Sequence, residues 1–416
     1  MRILIVAHGH PDFSSGGAEI AAYALFQALK MAGYAGVSFL APAHGSASVF
    51  PGTIITPYRE DEYLLHGGEF DRFLFTHRTD DVRDSFLSIL NNIKPDIVHF
   101  HHYIDIGLEL IAATRKFRKE IKIVVTLHEF AAICHHYGLM VKTGTFGLCS
   151  HPDDTDCAQC FEAISAKRFF DRRRHILEHF GQVNAFIAPS SFLRDRYIDW
   201  GLYPNRIHVI ENTVFSPPSP PPAGPTQPST FNVFGFFGQM HPFKGLDCLL
   251  AAFDHFRSFP SAGRASPRLI IHGAGLETND ELFRNRIAQS LARHGARVTF
   301  AGSYRQEELP QRMAGVDWVV VPSIWWENAP LVIEEALLHR RPVLCGDIGG
   351  MREKVRAGLD GFHFRTGDSS ALAAIMMQLA GNGTVWHRLQ ATLRMPPAVT
   401  DWAARHIDLY RDQTLG

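Results

Sequence analysis

The sequence predicts an α/β protein made of two doubly wound parallel sheets. Apolar, strand-like runs alternate with stretches of helical periodicity along most of the chain, a pattern typical of parallel sheets covered by helices on both faces. The 416 residues exceed what one hydrophobic core usually organises, so we expect two domains. A proline-rich segment at 216–230, SPPSPPPAGPTQPST, cannot form a packed element and is predicted to link them.

The first predicted domain, residues 1–215, opens with a strand, a loop and a helix. Arg2–Ala7 is an apolar run with the character of a buried strand, and Ala18–Met31 carries apolar residues at helical spacing. Further strand-like runs are expected to extend the same sheet: Asp96–Phe100, Ile121–Leu127, Ala185–Ala188 and Arg206–Ile210.

The second predicted domain, residues 231–395, repeats this alternation. A helical segment at 396–416 follows it and could pack back on the first domain. Because ligands of open parallel sheets bind beyond the carboxyl ends of the strands, we expect the active site in a cleft between the two domains. The strand-like runs of the second domain are Asn232–Phe237, Arg268–His272, Arg297–Phe300, Trp318–Val321 and Pro342–Leu344.

The composition excludes several classes of protein. Hydrophobic residues make up 46% of the chain and charged ones 20%, which is too apolar for a disordered protein. A formal net charge of -1 gives no general attraction to nucleic acid. Met1–Ala7 lacks the features of a secretory signal, and no apolar run approaches the ~20 residues that a membrane helix needs. We therefore expect a cytoplasmic protein whose membrane contact, if any, is peripheral and at the inner face.

Between Pro322 and Met351 the sequence combines two carboxylates with a predicted helix start. Glu327 is placed on the loop after a strand, the helix begins near Pro330, and Glu335 lies about a turn and a half into it. The N–H groups of a helix start favour a phosphate, and carboxylates suit the hydroxyls of a sugar and a ribose. A nucleotide sugar carries all of these groups. The spacing alone equally allows a solvated helical face with scattered glutamates.

This stretch resembles the E-x7-E signature of the retaining glycosyltransferases of family 4, and the similarity extends over essentially the whole chain. The resemblance implies the GT-B fold, in which two Rossmann-like domains face each other across a cleft. The neighbouring residues that agree with the family are Pro322-Ser323, Asn328-Ala329-Pro330, Arg341-Pro342-Val343 and Asp347-Ile348-Gly349-Gly350.

The resemblance also implies roles for single residues. Glu327 would be catalytic and bind the hydroxyls of the donor sugar, and Glu335 would bind the ribose hydroxyls. Asn328 lies within the motif and is assigned to the donor site. The backbone of the residues that open the helix would bind the diphosphate; these residues are Ala329, Pro330, Leu331 and Val332.

A second donor-site element is predicted at Phe237–Asp247, where a strand ends and a helix begins. The resemblance places Lys244 on the diphosphate, whereas an isolated surface lysine is the alternative. Family members usually have Arg where this chain has Gln239. A neutral amide forms a weaker hydrogen bond to phosphate than a guanidinium does, so one of two cationic phosphate contacts is missing.

Glycine-containing loops complete the predicted donor site. Gly273 follows a strand, and Ser303 and Tyr304 follow another, in a segment that resembles the one lining the nucleobase in the family. Gly16 and Gly17 match a glycine pair that the family places near the donor phosphates and acceptor. Each of these segments could also be an ordinary turn between a strand and a helix, because glycine serves both purposes.

His128 is the predicted catalytic residue of the first domain. The strand at 121–127 ends in His128-Glu129, which resembles the histidine–aspartate turn of the family with Glu in place of Asp. His128 would position the sugar or the acceptor, although a lone histidine at a strand end is more often structural. At the end of the strand at 96–100, the three histidines His99, His101 and His102 could line the acceptor side, but the structural interpretation is favoured for them.

Four cysteines fall within an insertion at about 134–160, and Cys157 and Cys160 have the C-x2-C spacing of half a tetrahedral thiolate site. A structural zinc, reduced thiols and a redox pair remain alternatives for this cluster, which consists of Cys134, Cys149, Cys157 and Cys160.

The helix predicted at Lys167–Phe180 has one apolar and one basic face. It suits either contact with anionic lipid or packing on the core with a solvated basic face, and the second interpretation is favoured.

The resemblance, together with these observations, implies a retaining glycosyltransferase that needs no cofactor for catalysis. The donor would be a nucleoside-diphosphate sugar, and the acceptor a hydroxyl of a glycan, a lipid-linked glycan or a small molecule, as in polysaccharide or glycoconjugate biosynthesis. Two alternatives stay open: a nucleotide-sugar epimerase of the same fold, which the E-x7-E context disfavours, and a carbohydrate- or nucleotide-binding protein without turnover, which Gln239 makes more plausible.

Overall fold

The structure of the protein is a computed structural model that describes residues 1–14, 16–43, 53–214, 230–256 and 265–415. Its contacts divide the chain into two compact units. Unit 1 comprises Met1–Phe215 and Pro397–Gly416, and unit 2 comprises Ser216–Pro396. The predicted linker at 216–230 lies outside the described residues, apart from Thr230.

Unit 1 contains an eight-stranded sheet in which the strands are ordered β10-β9-β8-β7-β1-β2-β4-β3. Every neighbouring pair is parallel except β3 and β4, and β5 and β6 form a separate antiparallel pair. The strands are β1 (Ile3–Val6), β2 (Val37–Pro42), β3 (Ile55–Arg59), β4 (Glu62–Leu65), β5 (Phe70–Asp71), β6 (Thr76–His77), β7 (Ile97–Phe100), β8 (Lys122–Thr126), β9 (Ala185–Ala188) and β10 (Ile207–Val209).

Helices cover the sheet of unit 1, and serine side chains cap two of them. Ser165 accepts a hydrogen bond from the Arg168 N–H and Ser190 from the Leu193 N–H, which satisfies donors that a helix start leaves unpaired. The helices of the first segment are α1 (Gly17–Met31), α2 (Asp81–Ile93), α3 (Glu109–Phe117), α4 (Asp154–Cys160), α5 (Ala166–Phe180) and α6 (Ser191–Trp200).

Helix α5 is the predicted amphipathic basic helix, and it packs in the interior of unit 1. Phe169, Arg172, Ile176 and Phe180 are buried, while Lys167 forms an ion pair with a neighbouring aspartate on the solvated face. The core-packed interpretation of this helix therefore describes the structure. No helix within the described ranges is both long and apolar enough to cross a membrane.

Unit 2 contains a six-stranded parallel sheet in the order β13-β12-β11-β14-β15-β16. Its strands are β11 (Val233–Phe237), β12 (Arg268–His272), β13 (Val298–Gly302), β14 (Trp318–Val321), β15 (Val343–Gly346) and β16 (Gly361–Phe364). Its helices are α7 (Leu246–His255), α8 (Glu281–His294), α9 (Leu309–Ala314), α10 (Leu331–Leu338), α11 (Gly349–Lys354), α12 (Ser369–Leu379) and α13 (Gly383–Thr392).

The strand orders locate one switch point in each sheet. In unit 2 the chain runs from β11 outward to β13 and then returns to β14 on the other side of β11, and in unit 1 the same reversal occurs between β1 and β7. Parallel sheets bind ligands beyond the carboxyl ends of the strands at such points. We therefore expect the ligand-binding residues in the segments that follow β11 and β14 in unit 2 and β1 and β7 in unit 1.

The chain returns to unit 1 at its last helix, α14 (Val399–Arg411). Trp402, Ile407 and Tyr410 of this helix are buried in the same core as β1, β2 and α1. The Lys122 ammonium on β8 donates hydrogen bonds to the backbone carbonyls of Tyr410 and Asp412 at 3.1 and 2.6 Å. Helix α14 is thus part of the hydrophobic core of unit 1.

Candidate functional site

At the switch point of unit 2, a lysine from one loop contacts a glutamate from another. Lys244 follows β11 and Glu327 follows β14, and the Lys244 Nζ donates to Glu327 Oε1 at 2.7 Å. The same oxygen accepts hydrogen bonds from Ser323 Oγ at 2.7 Å and from Trp325 Nε1 at 2.9 Å. Two residues that were predicted separately for the donor site are therefore in direct contact.

The three hydrogen bonds leave the two oxygens of the Glu327 carboxylate in different situations. All three reach Oε1, and no described residue donates to Oε2. Burial alone would raise the pKa of Glu327, but the Lys244 ammonium and the hydrogen bonds hold that pKa below its ordinary value. Glu327 is therefore ionised at neutral pH, and Oε2 remains as a hydrogen-bond acceptor.

Close backbone contacts hold these two loops together. The Ile324 N–H donates to the Phe243 carbonyl at 2.9 Å, and the Phe243 and Trp325 rings stack with centroids 6.2 Å apart. Gly245 has a φ of +71°, and a Cβ at this position would lie 2.0 Å from the Pro322 carbonyl oxygen. Only glycine fits this approach, because a side chain would collide with the backbone of the neighbouring loop.

The start of α10 lies just beyond Glu327. Pro330 is the N-cap and makes no side-chain capping bond to the helix, so N–H groups of the first turn are not capped by a side chain. The Gly350 N–H donates to the Glu327 carbonyl at 2.8 Å, which fixes the loop before the helix. Ala329, Pro330, Leu331 and Val332 are partly buried at this helix start, whereas Asn328 is buried.

Glu335 lies in α10 beside the loop that follows β13. Gln306 Nε2 donates to Glu335 Oε1 at 3.3 Å, and the Glu335 charge contributes to the raised pKa of Tyr304. Burial raises the pKa of Glu335 itself, which the Gln306 hydrogen bond only partly opposes. The two carboxylates of the E-x7-E motif therefore have different surroundings: Glu327 has a cationic neighbour and Glu335 has neutral ones.

The loops after β11, β12 and β13 are joined through glycines. The Gly238 N–H donates to the His272 carbonyl at 3.1 Å and the Gly273 N–H to the Gly302 carbonyl at 2.9 Å. A Cβ on Gly273 would lie 1.9 Å from the Gly238 carbonyl oxygen, so the two loops approach as closely as glycine permits. Gly273 thus has a packing role at the predicted donor site.

His272 ends β12 and was not predicted as a site residue. It is buried and stacks on Phe237 with ring centroids 4.5 Å apart, and neither ring nitrogen has a hydrogen-bond partner in the described part of the chain. Burial, with a smaller contribution from Arg312, lowers the pKa of His272 to about 4, so the ring is neutral. Two predicted site residues on the neighbouring loops are exposed: Gln239 after β11 and Ser303 after β13.

At the switch point of unit 1, histidines gather beyond the strand ends. His101 Nδ1 and His128 Nε2 are 3.1 Å apart, and the two rings stack with centroids 5.3 Å apart. Burial, together with repulsion from His102, lowers the pKa of His128 to about 3. Both rings are therefore neutral, and one donates a hydrogen bond to the other.

Two further histidines contact carboxylates in the same region. His102 Nδ1 accepts hydrogen bonds from the N–H groups of the next two residues at 3.0 Å, so its Nε2 carries the proton and faces Glu129 Oε1 at 3.2 Å. His8 Nε2 lies 3.4 Å from Glu19 Oε1. His102 and His8 thus link the ends of β7 and β1 to neighbouring carboxylates.

The glycine pair before α1 has a local structural reason. A Cβ on Gly16 would lie 2.3 Å from Glu19 Oε2, and the buried Glu19 carboxylate accepts a hydrogen bond from Ser14 Oγ at 2.6 Å. Glycine at position 16 therefore makes room for Glu19, and Gly17 begins the helix. Both residues still lie beyond β1, at the switch point of the sheet.

Both halves of the chain match models of known protein families. Residues 15–215 match the model described as Glycosyltransferase Family 4, and residues 231–382 match the model described as Glycosyl transferases group 1. The chain belongs to this glycosyltransferase family. Its fold is GT-B, with two Rossmann-like parallel-sheet domains, as the solved structures below also show.

Curated relatives match parts of this glycosyltransferase. A D-inositol 3-phosphate glycosyltransferase of Nocardia farcinica is 32% identical over 40% of the chain, and an uncharacterised 42.6 kDa protein of the cps region of Klebsiella pneumoniae is 21% identical over 66% of it. The matched segments span 37% and 63% of the lengths of these two relatives.

Solved structures resemble the chain over nearly its whole length at low identity. HepE of Anabaena in complex with UDP is 18% identical with a TM-score of 0.64, and it covers 98% of this chain and 99% of its own. Sucrose-phosphate synthase of Thermosynechococcus elongatus is 17% identical with a TM-score of 0.66, with coverage of 99% and 98%. At these identities the likeness concerns the fold.

Sequence reasoning missed the residues that hold the glycosyltransferase motif in place. Ser323 and Trp325 bind Glu327, Gln306 binds Glu335, and His272 stacks at the end of β12. Ser323 lies in the segment that resembles the family, which is the one signal that could have indicated it. Trp325 lies two residues before Glu327 in that same segment, whereas the contacts of Gln306 and His272 depend on how separate loops meet.

Proposed function

We propose that the protein transfers a glycosyl unit from a nucleoside-diphosphate sugar to a hydroxyl of a glycan, a lipid-linked glycan or a small molecule, with retention of the anomeric configuration. The observation that carries this proposal is the contact between Lys244 and the ionised Glu327 at the switch point of unit 2. It puts a cation and a carboxylate acceptor side by side, which suits a ligand that carries both phosphates and sugar hydroxyls.

Glu327 would hold the sugar of the donor. Its Oε1 is fixed by three hydrogen bonds, and its Oε2 is left to accept a bond from a donor hydroxyl. Because the carboxylate is already positioned and ionised, it need not reorganise when the ligand arrives. A hydrogen bond to a charged acceptor is about twice as strong as a neutral one.

The diphosphate would lie between Lys244 and the start of α10. The ammonium supplies one positive charge, and the N–H groups and dipole of the helix start favour an anion. Gln239 lies exposed after β11 and could donate one neutral hydrogen bond where the family usually has Arg. Leaving-group stabilisation would therefore rest mainly on Lys244 and on the backbone of Ala329 to Val332.

The nucleoside would occupy the side of the site formed by β12, β13 and α10. Glu335 is suited to the ribose hydroxyls, and its raised pKa reflects burial that a pair of hydroxyl donors would offset. Tyr304 and His272 offer an aromatic wall with neutral polar groups, and Ser303 an exposed hydroxyl. The structural neighbour HepE binds UDP and UDP-glucose in its crystals, which supports a nucleoside-diphosphate donor here.

His128 would position the reacting sugar or the acceptor hydroxyl from unit 1. Its neutral ring is oriented by His101 at 3.1 Å, so it can donate or accept a hydrogen bond without introducing charge. In the proposed retaining transfer the leaving phosphate would take the proton of the acceptor hydroxyl. His128 would then act by orientation and not as a nucleophile.

Turnover decides between this proposal and its alternatives. The family matches favour a transferase over an epimerase, and a binding protein without turnover would retain donor affinity while forming no product. The test is a thermal-shift screen of UDP-, GDP-, ADP- and dTDP-sugars, followed by transfer assays with the stabilising donors and determination of the anomer formed by NMR. An isomerised donor, or an inverted product, would contradict the proposal.

A single substitution tests the role of Glu327. Glu327→Gln keeps the shape of the side chain but removes the charged acceptor, so we expect the transfer rate to fall on the order of 100-fold, the loss that follows removal of one preorganised polar contact. Glu281→Gln, on the exposed face of α8, is the matched control and should keep full activity. Equal rates for the two purified variants would contradict the assignment.

A further inference from the structure

The four cysteines of the insertion at 134–160 line one cavity in unit 1. Cys134 lies in the turn after β8, where its N–H donates to the Phe130 carbonyl, and Cys149 follows the bridge between Val141 and Leu148. Cys157 and Cys160 lie three residues apart in α4. All six cysteines of the chain are among the described residues, and none forms a disulfide.

A buried cation without a carboxylate partner lies beside this cluster. The Arg172 side chain of α5 is 2% exposed, and its guanidinium donates hydrogen bonds to the backbone carbonyls of Phe73, Ala131 and Ala132 at 2.8, 2.6 and 2.6 Å. No carboxylate of the described residues forms an ion pair with it. Burial lowers the pKa of Arg172, and ionisation of the neighbouring Cys134 and Cys157 thiols would oppose that shift.

Burying a charge without a counter-charge is costly, so the surroundings of Arg172 favour an anion at this place. Lys142 adds a second cation to the lining of the cavity, where its ammonium is paired with Asp156 at 3.3 Å. Backbone N–H groups of His136 and Met140 point at the sulfur of Cys134, and such donors stabilise a thiolate that serves as a metal ligand. The cavity thus places a buried cation and backbone donors beside thiols that burial keeps protonated in the absence of a metal.

We propose that Cys134, Cys149, Cys157 and Cys160 bind one zinc ion as a tetrathiolate site. Four thiols around one cavity, two of them in a C-x2-C pair, are the ligands that structural zinc prefers. Each thiol releases its proton to solvent when it binds the metal, and the two negative charges left on the complex are offset by Arg172 and Lys142.

The proposal requires a local rearrangement. In the described residues no three histidine, cysteine or carboxylate side chains already stand together as a metal-binding group. The cysteine side chains must therefore turn into the cavity that they line. Rotation about the Cα–Cβ bond is a small movement for cysteine, whose side chain has one such torsion.

The metal would fix the segment that follows His128, the predicted catalytic histidine. The insertion begins a few residues after His128 and Glu129, and a Cβ on Gly138 would lie 2.0 Å from Glu129 Oε2. The insertion therefore packs closely against Glu129 in the turn after β8. We expect zinc to order this segment and to take no part in the transfer reaction.

Metal analysis of the full chain tests the proposal. Protein purified without chelator should contain about one zinc per chain, and the double variant Cys157→Ser/Cys160→Ser should contain none. The control is Cys248→Ser, a partly buried cysteine of α7 in unit 2, which should keep the metal. Replacement of zinc by cobalt should produce a thiolate-to-cobalt charge-transfer band and the spectrum of a tetrahedral site.

Alkylation of the wild-type chain covers the case in which the serine variants fail to fold. Zinc should protect four thiols from alkylation until a chelator is added, and the same treatment should make the 134–160 segment more sensitive to limited proteolysis. Protein that contains no metal, a Cys157–Cys160 disulfide found by mass spectrometry, or a serine double variant that retains its zinc would each overturn the proposal. None of these results depends on transferase activity.

Discussion

At the scale of single residues, the ionisation of Glu327 depends on Lys244. Burial favours the protonated acid, and the ammonium 2.7 Å away reverses that preference. The carboxylate form is present above the pKa of Glu327 and is lost as the pH falls through it. Activity that needs the carboxylate must therefore have an acid limit set by this pair.

Lys244→Met should move that acid limit to higher pH. Without the ammonium, burial dominates and the pKa of Glu327 rises, so the acid limb of the kcat/KM profile shifts upward by at least one pH unit, about the effect of one close charge. The measurement is the pH profile with the donor found in the screen. Lys244→Arg keeps the charge and should keep the limb in place; superimposable profiles for wild type and the Met variant would disprove the coupling.

Glu334 and Glu335, which are adjacent in α10, show the limit of prediction from single residues. Glu335 was assigned through resemblance, while Glu334 received no role. In the structure Glu334 is buried and bound by both terminal nitrogens of Arg394 at 3.0 and 2.7 Å, a structural ion pair. Helical spacing indicates that the two side chains point apart, but the arginine lies 60 residues further along the chain and no local pattern connects it to Glu334.

At the scale of elements, the proposed donor site is a set of loops that contact one another through glycines. Gly273 brings the loop after β12 against Gly238 of the loop after β11, and Gly245 does the same between the loops after β11 and β14. The strands orient the loops, and the glycines allow the loop backbones to approach closely. A side chain at either position must push two loops apart.

Gly273→Ala should therefore reduce both the stability of the protein and its affinity for a nucleoside diphosphate. The added methyl meets a backbone oxygen at 1.9 Å, so we expect the free energy of unfolding to fall by about 1–3 kcal/mol, as for overpacking, and nucleoside-diphosphate binding to weaken. Gly315→Ala is the control, because its methyl would meet nothing closer than 3.4 Å. Thermal melts with and without UDP measure both effects, and an unchanged UDP shift in Gly273→Ala would contradict the placement of this loop.

Most strands with strong apolar character were predicted from sequence, although β2 (VSFLAP), which is buried throughout, was not. The strand at the start of each domain was recognised because every residue of β1 and most of β11 is apolar. The strand β16, with sequence GFHF, was missed because its histidine and glycine interrupt the apolar pattern. Strands β3 and β4 carry a proline, charges and tyrosines, and pairing sets their place in the sheet: β4 runs parallel to β2, and β3 runs antiparallel to β4.

At the scale of the whole molecule, unit 1 is built from two separate stretches of chain. Helix α14 contributes Trp402, Ile407 and Tyr410 to the core of unit 1, and Tyr410 Oη lies 2.6 Å from His99 Nδ1 on β7. The sequence indicated a helix at 396–416 but offered only a guess about its place, since an amphipathic pattern does not say which surface it covers.

Substitution of two tryptophans, one in each unit, tests the assignment of α14 to unit 1. Trp402 belongs to the core of unit 1 and Trp386 to that of unit 2, and removing either should cost about 3–5 kcal/mol. We expect Trp402→Ala to increase hydrogen exchange in β1 and α1, and Trp386→Ala to increase it in β11 and α7. Exchange mass spectrometry of both variants is the measurement. Faster exchange of unit 2 alone in Trp402→Ala would refute the assignment.

The interrupted course of unit 1 has a consequence for synthesis on the ribosome. Domains usually fold in the order in which they are translated. Here the first unit lacks the core residues of α14 until that helix has left the exit tunnel. Unit 2 is one continuous stretch, from Ser216 to Pro396, and its hydrophobic residues are all available earlier. The half of the molecule that is made second can therefore be the half that finishes folding first.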